Sequence, residues 1–120
     1  MREASVVVMS SGAPSCLRVL RTEGFIERLR GLIGREALAR RHAIWISPCS
    51  AVHTFGMRGS IDLVFVDARD RVLRVDAAIA PCRVRFCRDA RGVLELSAGA
   101  ASRFGLDRPA ARLAWRGALR

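Results

Sequence analysis

A chain of 120 residues is one domain by length, and at that size folding buries roughly two-thirds of the unfolded surface, enough for a core without disulfide or metal staples. Hydrophobic residues make up 51% and charged residues 27%, which excludes a disordered chain. The formal charge is +10, all 21 cationic residues are arginine, and lysine, asparagine, glutamine and tyrosine are absent.

So basic a chain invites nucleic acid or an anionic surface as partner. Two features weigh against that. The missing lysine, asparagine and tyrosine together with abundant arginine match the codon usage of a GC-rich genome, and the arginines are spread along the chain instead of gathered in a stripe. Few aromatics leave little to stack on bases, so nucleic acid is not the expected partner. The longest apolar runs have strand length, short of the ~20 residues of a transmembrane helix. Val6-Val7-Val8-Met9 is too short for the roughly 7–15-residue apolar region of a signal peptide. The expectation is therefore a cytoplasmic protein with Cys16, Cys49, Cys82 and Cys87 as reduced thiols.

Residues 1–14 read as a loose lead-in, or an edge strand at Val6–Val8 broken by Ser10-Ser11-Gly12-Ala13-Pro14, before a single domain over 15–120. Ser15–Arg21 predicts a short strand. Thr22 is placed to cap a helix in which Phe25, Ile26, Leu29, Leu32 and Ile33 form one apolar stripe, with Gly34 as its stop. Residues 36–42 form a connector, and Ala43–Ser47 a central strand that Pro48 ends. The loop Cys49–Ser60 follows. Ile61–Val66 is nearly continuous in apolar residues, as in a strand covered on both faces. Turns at 67–70 and 89–92 separate strands at Arg71–Ile79, Val84–Cys87 and Val93–Ser97. Ala98–Phe104 tolerates a helix stopped by Gly105, and Ala111–Trp115 is a last strand. Short strands between frequent turns predict a mainly β domain, a small sandwich or jelly-roll-like barrel with one or two short helices.

Three blocks occur in order: Arg30-Gly31-Leu32-Ile33-Gly34-Arg35; Met57 followed by Ile61-Asp62-Leu63-Val64-Phe65-Val66-Asp67; and Leu94-Glu95-Leu96-Ser97-Ala98-Gly99. Together they resemble the DUF192 (UPF0127) family over roughly residues 15–115. The resemblance implies a compact, mainly β fold of jelly-roll or barrel type with a helix carrying the first block, and no characterised activity. Phe55-Gly56-Met57 stands where the commoner family pattern has a Trp-Met pair, and only four residues separate Met57 from Asp62, so the loop is shortened. The Pro48-Cys49 and Val52-His53-Thr54 elements resemble a subgroup associated with Flp/Tad-type pilus or secretion machinery. Many relatives carry an export or lipid-attachment signal that is not seen here.

The polar, reactive side chains crowd between strands in one stretch, which holds Cys49, His53, Thr54, Met57 and Asp62. Cys49 and His53 are four residues apart, a spacing that on a helical turn brings a thiolate and an imidazole to one metal, with Cys82 and Cys87 as further ligands. It is not the CxxC knuckle of a strong zinc motif. Alternatively Cys49 is a nucleophile with His53 as base, which needs an orienting carboxylate such as Asp62 or Glu95. The plainer readings weigh more. His53 bonds backbone groups of the loop, Asp62 accepts loop N–H bonds at a strand entrance, Met57 and Phe55 plug the core, and Cys49 is a small buried hydrophobe. Glu95, if it points inward, needs a cationic partner, for which Arg30 and Arg35 serve. Arg30, Arg35 and Arg58 would also attract anions to a concave mouth. No phosphate loop, HExxH or GxSxG signature is present. The expected function is that of a small accessory binding protein, without cofactor or catalysis, whose site is the Cys49–Asp62 loop and whose partner is a protein or a small ligand. The alternative is a metal- or thiol-dependent site at Cys49 and His53.

Overall fold

In a computed structural model, which describes residues 2–22, 42–55, 57 and 59–116, the chain is mainly β. Nine strands run in chain order among these residues: β1 Arg2–Met9, β2 Ser15–Thr22, β3 Ala43–Ile46, β4 Ala51–His53, β5 Ile61–Val66, β6 Val72–Ile79, β7 Val84–Phe86, β8 Gly92–Ser97 and β9 Arg112–Arg116. One short helix, α1, spans Ala100–Arg103. The expected helix over Phe25–Ile33, its stop at Gly34, the connector to residue 41, and Arg30, Arg35 and Arg58 lie outside the described residues.

Seven strands form one sheet in the order β6-β5-β8-β3-β2-β1-β9. All its pairings are antiparallel except β2 with β3. A parallel pair needs a crossover of about a dozen residues or more, and residues 23–42 supply that length. The sheet curls until its two edges meet at one corner. Arg71, just before β6, bridges Arg112 at the start of β9. Val72 N–H donates to Ala111 O (2.9 Å) and Leu113 N–H to Asp70 O (2.8 Å). Beside them the Trp115 indole N–H donates to Asp70 Oδ1 at 3.2 Å. Right-handed strand twist provides the curl, and closure removes the edge along that stretch.

Strand alternation sorts the apolar side chains onto two faces. Val6, Val8, Leu17, Val19, Trp45, Val64, Val66, Leu94, Leu96 and Leu113 point into the curl, where Ala100, Ala101 and Leu106 plug one end. Ile44, Ile46, Leu63, Phe65 and Val93 point the other way and pack with Val52, Met57, Ile61 and Ile79. That is why Ile61–Val66 is apolar at every position but Asp62: all six of its residues are buried, three on each face. The second face is covered by a two-stranded ribbon of β4 and β7, with Val52 opposite Arg85.

Three expectations, on the lead-in, the 49–60 loop and Phe55, are corrected. The lead-in is an eight-residue strand inside the sheet, hydrogen-bonded to β2 on one side and β9 on the other, because Ala4, Val6 and Val8 alternate into the core. Thr22 is the buried end of β2, and its hydroxyl donates to Trp45 O (3.0 Å) across the parallel pair; the helix it is expected to cap lies outside the described residues. The stretch expected as one loop from 49 to 60 contains β4, whose partner β7 supplies pairing that no local pattern announces. Phe55, expected beneath the loop, is 52% exposed.

Candidate functional site

The segment after β3 turns back along the outer face of the sheet. Cys49 N–H donates to Arg91 O (2.9 Å), fixing the turn against the start of β8. The Cys49 thiol donates to Ala51 O (3.1 Å), and its sulfur packs at the margin of the outer core together with Cys87. Cys87 N–H in turn donates to Ser50 O (2.9 Å), which starts the ladder of β4 on β7. Thr54 closes that ladder. It is fully buried; its hydroxyl donates to Ala80 O (2.7 Å) and accepts from Arg83 N–H (2.8 Å). Its backbone N–H donates to Arg83 O (2.8 Å), and its carbonyl accepts from Met57 and Cys82 N–H (both 3.2 Å). With every polar atom of Thr54 engaged, this residue ties the ribbon to the 80–83 turn, and Met57 is buried in the outer core.

Asp62 is separated from these residues by the sheet. Ile61 and Leu63 face the ribbon, so Asp62 faces the interior of the curl. Its Oδ1 accepts from Ala78 N–H (2.8 Å), and its Oδ2 accepts from Gly99 and Ala101 N–H (both 3.0 Å). Gly99 has φ 90°, a left-handed conformation that glycine adopts without strain, and it turns the chain so that the first N–H groups of α1 point at the carboxylate. On β6 the register slips between Ile61/Ile79 and Leu63/Asp76, which frees Ala78 N–H from the ladder and aims it at Asp62. A buried carboxylate holding three backbone donors is a clamp between β5, β6 and α1. It is not placed to orient His53.

The cysteine and histidine of the loop are not on a helical turn either. Residues 51–53 are extended, and extended chain advances about 3.3 Å per residue, so the four-residue spacing carries Cys49 and His53 apart. His53 Nδ1 accepts from Phe55 N–H (3.3 Å), and the two rings stack at 4.8 Å with 29° between planes. Cys82 is exposed at one end of β7 and Cys87 half-buried at the other; no disulfide joins any of the four cysteines. Among the described residues no three His, Cys, Asp or Glu side chains lie where they would share a metal ion. Glu95, 1% exposed, sits on β8 between Ile44 and Leu63 of the flanking strands, on the outer face. Its expected partners Arg30 and Arg35 are outside the described residues.

Sequence reasoning missed the outward face of the ribbon. Ala51 stands opposite Phe86 and His53 opposite Val84, so these four share the side away from the core. Val84 is 59% and Phe86 57% exposed, and Phe55 adjoins them through its stack on His53. The ribbon is also held in place from the sheet. Arg74 lies over the Phe65 ring (4.7 Å), pairs with Asp76 (2.8 and 3.0 Å), and donates from Nη2 to Phe86 O (2.7 Å). The available signal was Val84-Arg85-Phe86 itself, an alternating triplet in a chain with only seven aromatic residues outside histidine, five Phe and two Trp.

Two ionisable groups elsewhere are shifted. His42 is held below its usual pKa of 6.5 by burial, and further by the charges of Arg18 and Arg103. Its Nδ1 accepts Arg18 N–H (2.9 Å), and its ring lies 4.7 Å from Phe104. Asp67 is also held below its usual value. Burial pulls it up, but the Arg71 and Arg69 N–H groups and the Arg71 guanidinium together outweigh that. They bond its carboxylate at 2.8–3.0 Å and form the turn after β5.

A β domain whose sheet curls shut at one corner, with a buried aspartate clamp inside and an apolar ribbon outside, defines the class. The chain belongs to the DUF192 family, described as an uncharacterised ACR, whose profile matches residues 6–112. Two solved structures share the fold. One, from Sinorhizobium meliloti 1021 and provisionally described as a transcription regulator, has a TM-score of 0.79 at 20% identity, covering 95% of this chain and 94% of that one. The other is a protein of unknown function from Novosphingobium aromaticivorans DSM 12444, with a TM-score of 0.78 at 21% identity, covering 94% of this chain and 85% of that one. No curated protein matches. No helix among the described residues is long and apolar enough to cross a membrane.

Proposed function

We propose that this is a non-catalytic binding domain that engages a partner through the outward face of the β4–β7 ribbon and the adjoining loop. One observation carries the reading: Phe55, Val84 and Phe86, three of the four large apolar side chains exposed among the described residues, gather at one small ribbon. Scattered surface apolar residues are ordinary, whereas a cluster marks a contact site. The groups that a thiol mechanism would need point to other tasks. Asp62 is buried on the far face of the sheet, and the Cys49 thiol and His53 Nδ1 bond backbone groups of their own loop. The likeness of Pro48–Thr54 to a pilus-associated subgroup makes a pilus or secretion component the partner to seek first.

Replacing Phe86 with photoreactive p-benzoylphenylalanine in living cells tests this. The expected result is one discrete protein adduct from position 86 and none from Asp107, an exposed position in the turn after α1. Absence of any adduct from the ribbon, or identical adducts from both positions, would overturn the proposal.

A further inference from the structure

We infer that the outer face of β1, between β2 and β9, binds a phosphate monoester, with the Ser5 hydroxyl at its centre and the arginines Arg18 and Arg116 on either side. This face is on the half of the sheet away from the ribbon and is independent of the partner proposed there. Alternation places it. Val6 and Val8 of β1, Leu17 and Val19 of β2 and Leu113 of β9 point into the curl, so Ser5, Val7, Arg18, Arg112, Ala114 and Arg116 point outward. Register sets Ser5 opposite Arg18 on one side and opposite Arg116 on the other. Directly opposed Cβ atoms are about 4.5–5.5 Å apart, so two long cationic arms rise beside one hydroxyl. The next row is Ala114, Val7 and Cys16, and beyond it Arg112 stands opposite Met9. Arginines far apart in sequence are thus gathered on one face, which their linear spacing conceals.

The fold itself leaves these groups unused. Arg71 and Arg74 pair with Asp67 and Asp76 (3.0 and 2.8 Å), but among the described residues no carboxylate pairs with Arg18, Arg112 or Arg116. Glu3, the carboxylate on this face, stands opposite Leu20 and forms no ion pair with any of the three. His42 is held at a low pKa first by burial and then by the charge of Arg18, as a cation without a counter-ion acts on its neighbour. The ribbon does not cover the face, because the outer core beneath it draws on β3, β5, β6 and β8 but on no residue of β1 or β9. The three arginines are exposed, and Ser5, Val7 and Ala114 form a half-buried floor between them.

Two guanidinium forks and a hydroxyl meet over Ser5. A carboxylate has two oxygens in one plane and is satisfied by a single fork, whereas a phosphate monoester offers three acceptor oxygens and close to two charges. Its carbon skeleton lies along the row of Ala114, Val7 and Cys16. Two other occupants fit less well. Single-stranded nucleic acid stacks its bases on rings, and no outward position of β9, β1 or β2 is aromatic. In a twofold dimer of this chain the face would meet itself, setting arginine against arginine on molecules that each carry +10, and such like-charge contact is costly.

Titration with phenyl phosphate, read from backbone amide shifts by NMR, tests this. Saturable shifts are expected at Ser5, Val7, Arg18 and Arg116. Arg18→Gln/Arg116→Gln should weaken binding at least about tenfold, as loss of charge-assisted hydrogen bonds does, and Ser5→Ala should weaken it severalfold. Arg88→Gln/Arg91→Gln removes the same charge from two exposed positions after β7 and should change the affinity by less than about twofold, since charges at that remove are screened. Urea unfolding of each variant checks that the fold is retained. Inorganic phosphate should bind the same amides more weakly, and acetate most weakly of all. The absence of saturable shifts at those amides, equal weakening by both arginine pairs, or acetate binding as tight as that of phenyl phosphate would each overturn the inference. Inorganic phosphate binding as tightly as phenyl phosphate would overturn the role given to the apolar row. Tighter binding of a short DNA duplex, or of phosphatidylglycerol vesicles, through the same arginines would overturn the small ligand in favour of a polymer or a membrane.

Discussion

The aspartate clamp gives the most direct test of how this fold is held. Asp62→Asn keeps the shape of the side chain and replaces one carboxylate oxygen by an amide. If the amide keeps its oxygen toward Gly99 and Ala101, its NH2 faces Ala78 N–H, donor against donor. Leaving that buried N–H unmatched costs about 1–3 kcal/mol, and each of the two retained bonds loses about 1 kcal/mol in passing from a charged to a neutral acceptor. The expected loss is about 3–5 kcal/mol. A chain of 120 residues has a total stability of roughly 6–18 kcal/mol at ~0.05–0.15 kcal/mol per residue. With a urea m-value of about 2 kcal/mol/M, the unfolding midpoint should drop by about 2 M at unchanged slope. Asp62→Ala, which abandons all three donors, should be worse. A midpoint drop below about 0.5 M for Asp62→Asn would refute the clamp, because the three N–H groups would then be satisfied some other way.

Other perturbations reach different parts of the molecule. A Cβ at Gly92 would fall on the ring of Trp45, which is already packed edge-on against Trp115 at 5.2 Å; Gly92→Ala should therefore cost about 1–3 kcal/mol by urea unfolding, as overpacking does. Cys49→Ser should change stability by less than about 1 kcal/mol and leave the Phe86 crosslink intact; loss of a bound metal in native mass spectrometry of this variant would instead favour the Cys49/His53 alternative. His42 has a folded pKa below its unfolded 6.5, so the unfolded chain binds the extra proton as pH falls. Its contribution is whole above about pH 6.5 and is lost as pH drops toward the folded value, so the melting temperature should fall across that window. Asn at this position can accept Arg18 N–H without titrating, and His42→Asn should flatten the slope there.

Much of the fold was legible because burial leaves a periodic signature. Ile61–Val66 announced a strand covered on both sides, the turn residues at 67–70 and 89–92 bounded its neighbours, and Gly105 (φ 77°) stops α1 as its place in the sequence predicts. The lead-in was harder. Val6-Val7-Val8-Met9 has no alternation to show that every second residue is buried, and nothing local shows that one edge of the strand finds partners 7–19 residues away and the other 103–111 residues away. The site was less legible still. Cys49, His53, Thr54, Met57 and Asp62 are close in sequence, but strand parity sends Asp62 through the sheet to α1, while Thr54 and Met57 go to the ribbon side. Proximity along a chain means little once the chain crosses a sheet, because each residue step reverses the face. Short strands such as β4 and β7, three residues each, carry too few positions to display alternation alone.

The same parity separates recognition from stability. Val52 points inward from the ribbon and Val84 and Phe86 point outward, although all three lie on a pair of three-residue strands. Exposed side chains lose little contact with water on folding, so replacing them by Ser removes no burial that the fold depends on. Val52→Ala, by contrast, removes buried methyl groups from the outer core and should cost about 1–3 kcal/mol. The two kinds of variant therefore give opposite signatures. The outward pair should lose the partner that the ribbon face engages, with an unchanged urea midpoint. The inward one should lower the midpoint, and weaken binding only where the ribbon itself has opened. If the outward pair lowered the midpoint as much as Val52→Ala, Val84 and Phe86 would be part of the core, and the ribbon would have no exposed face to offer a partner.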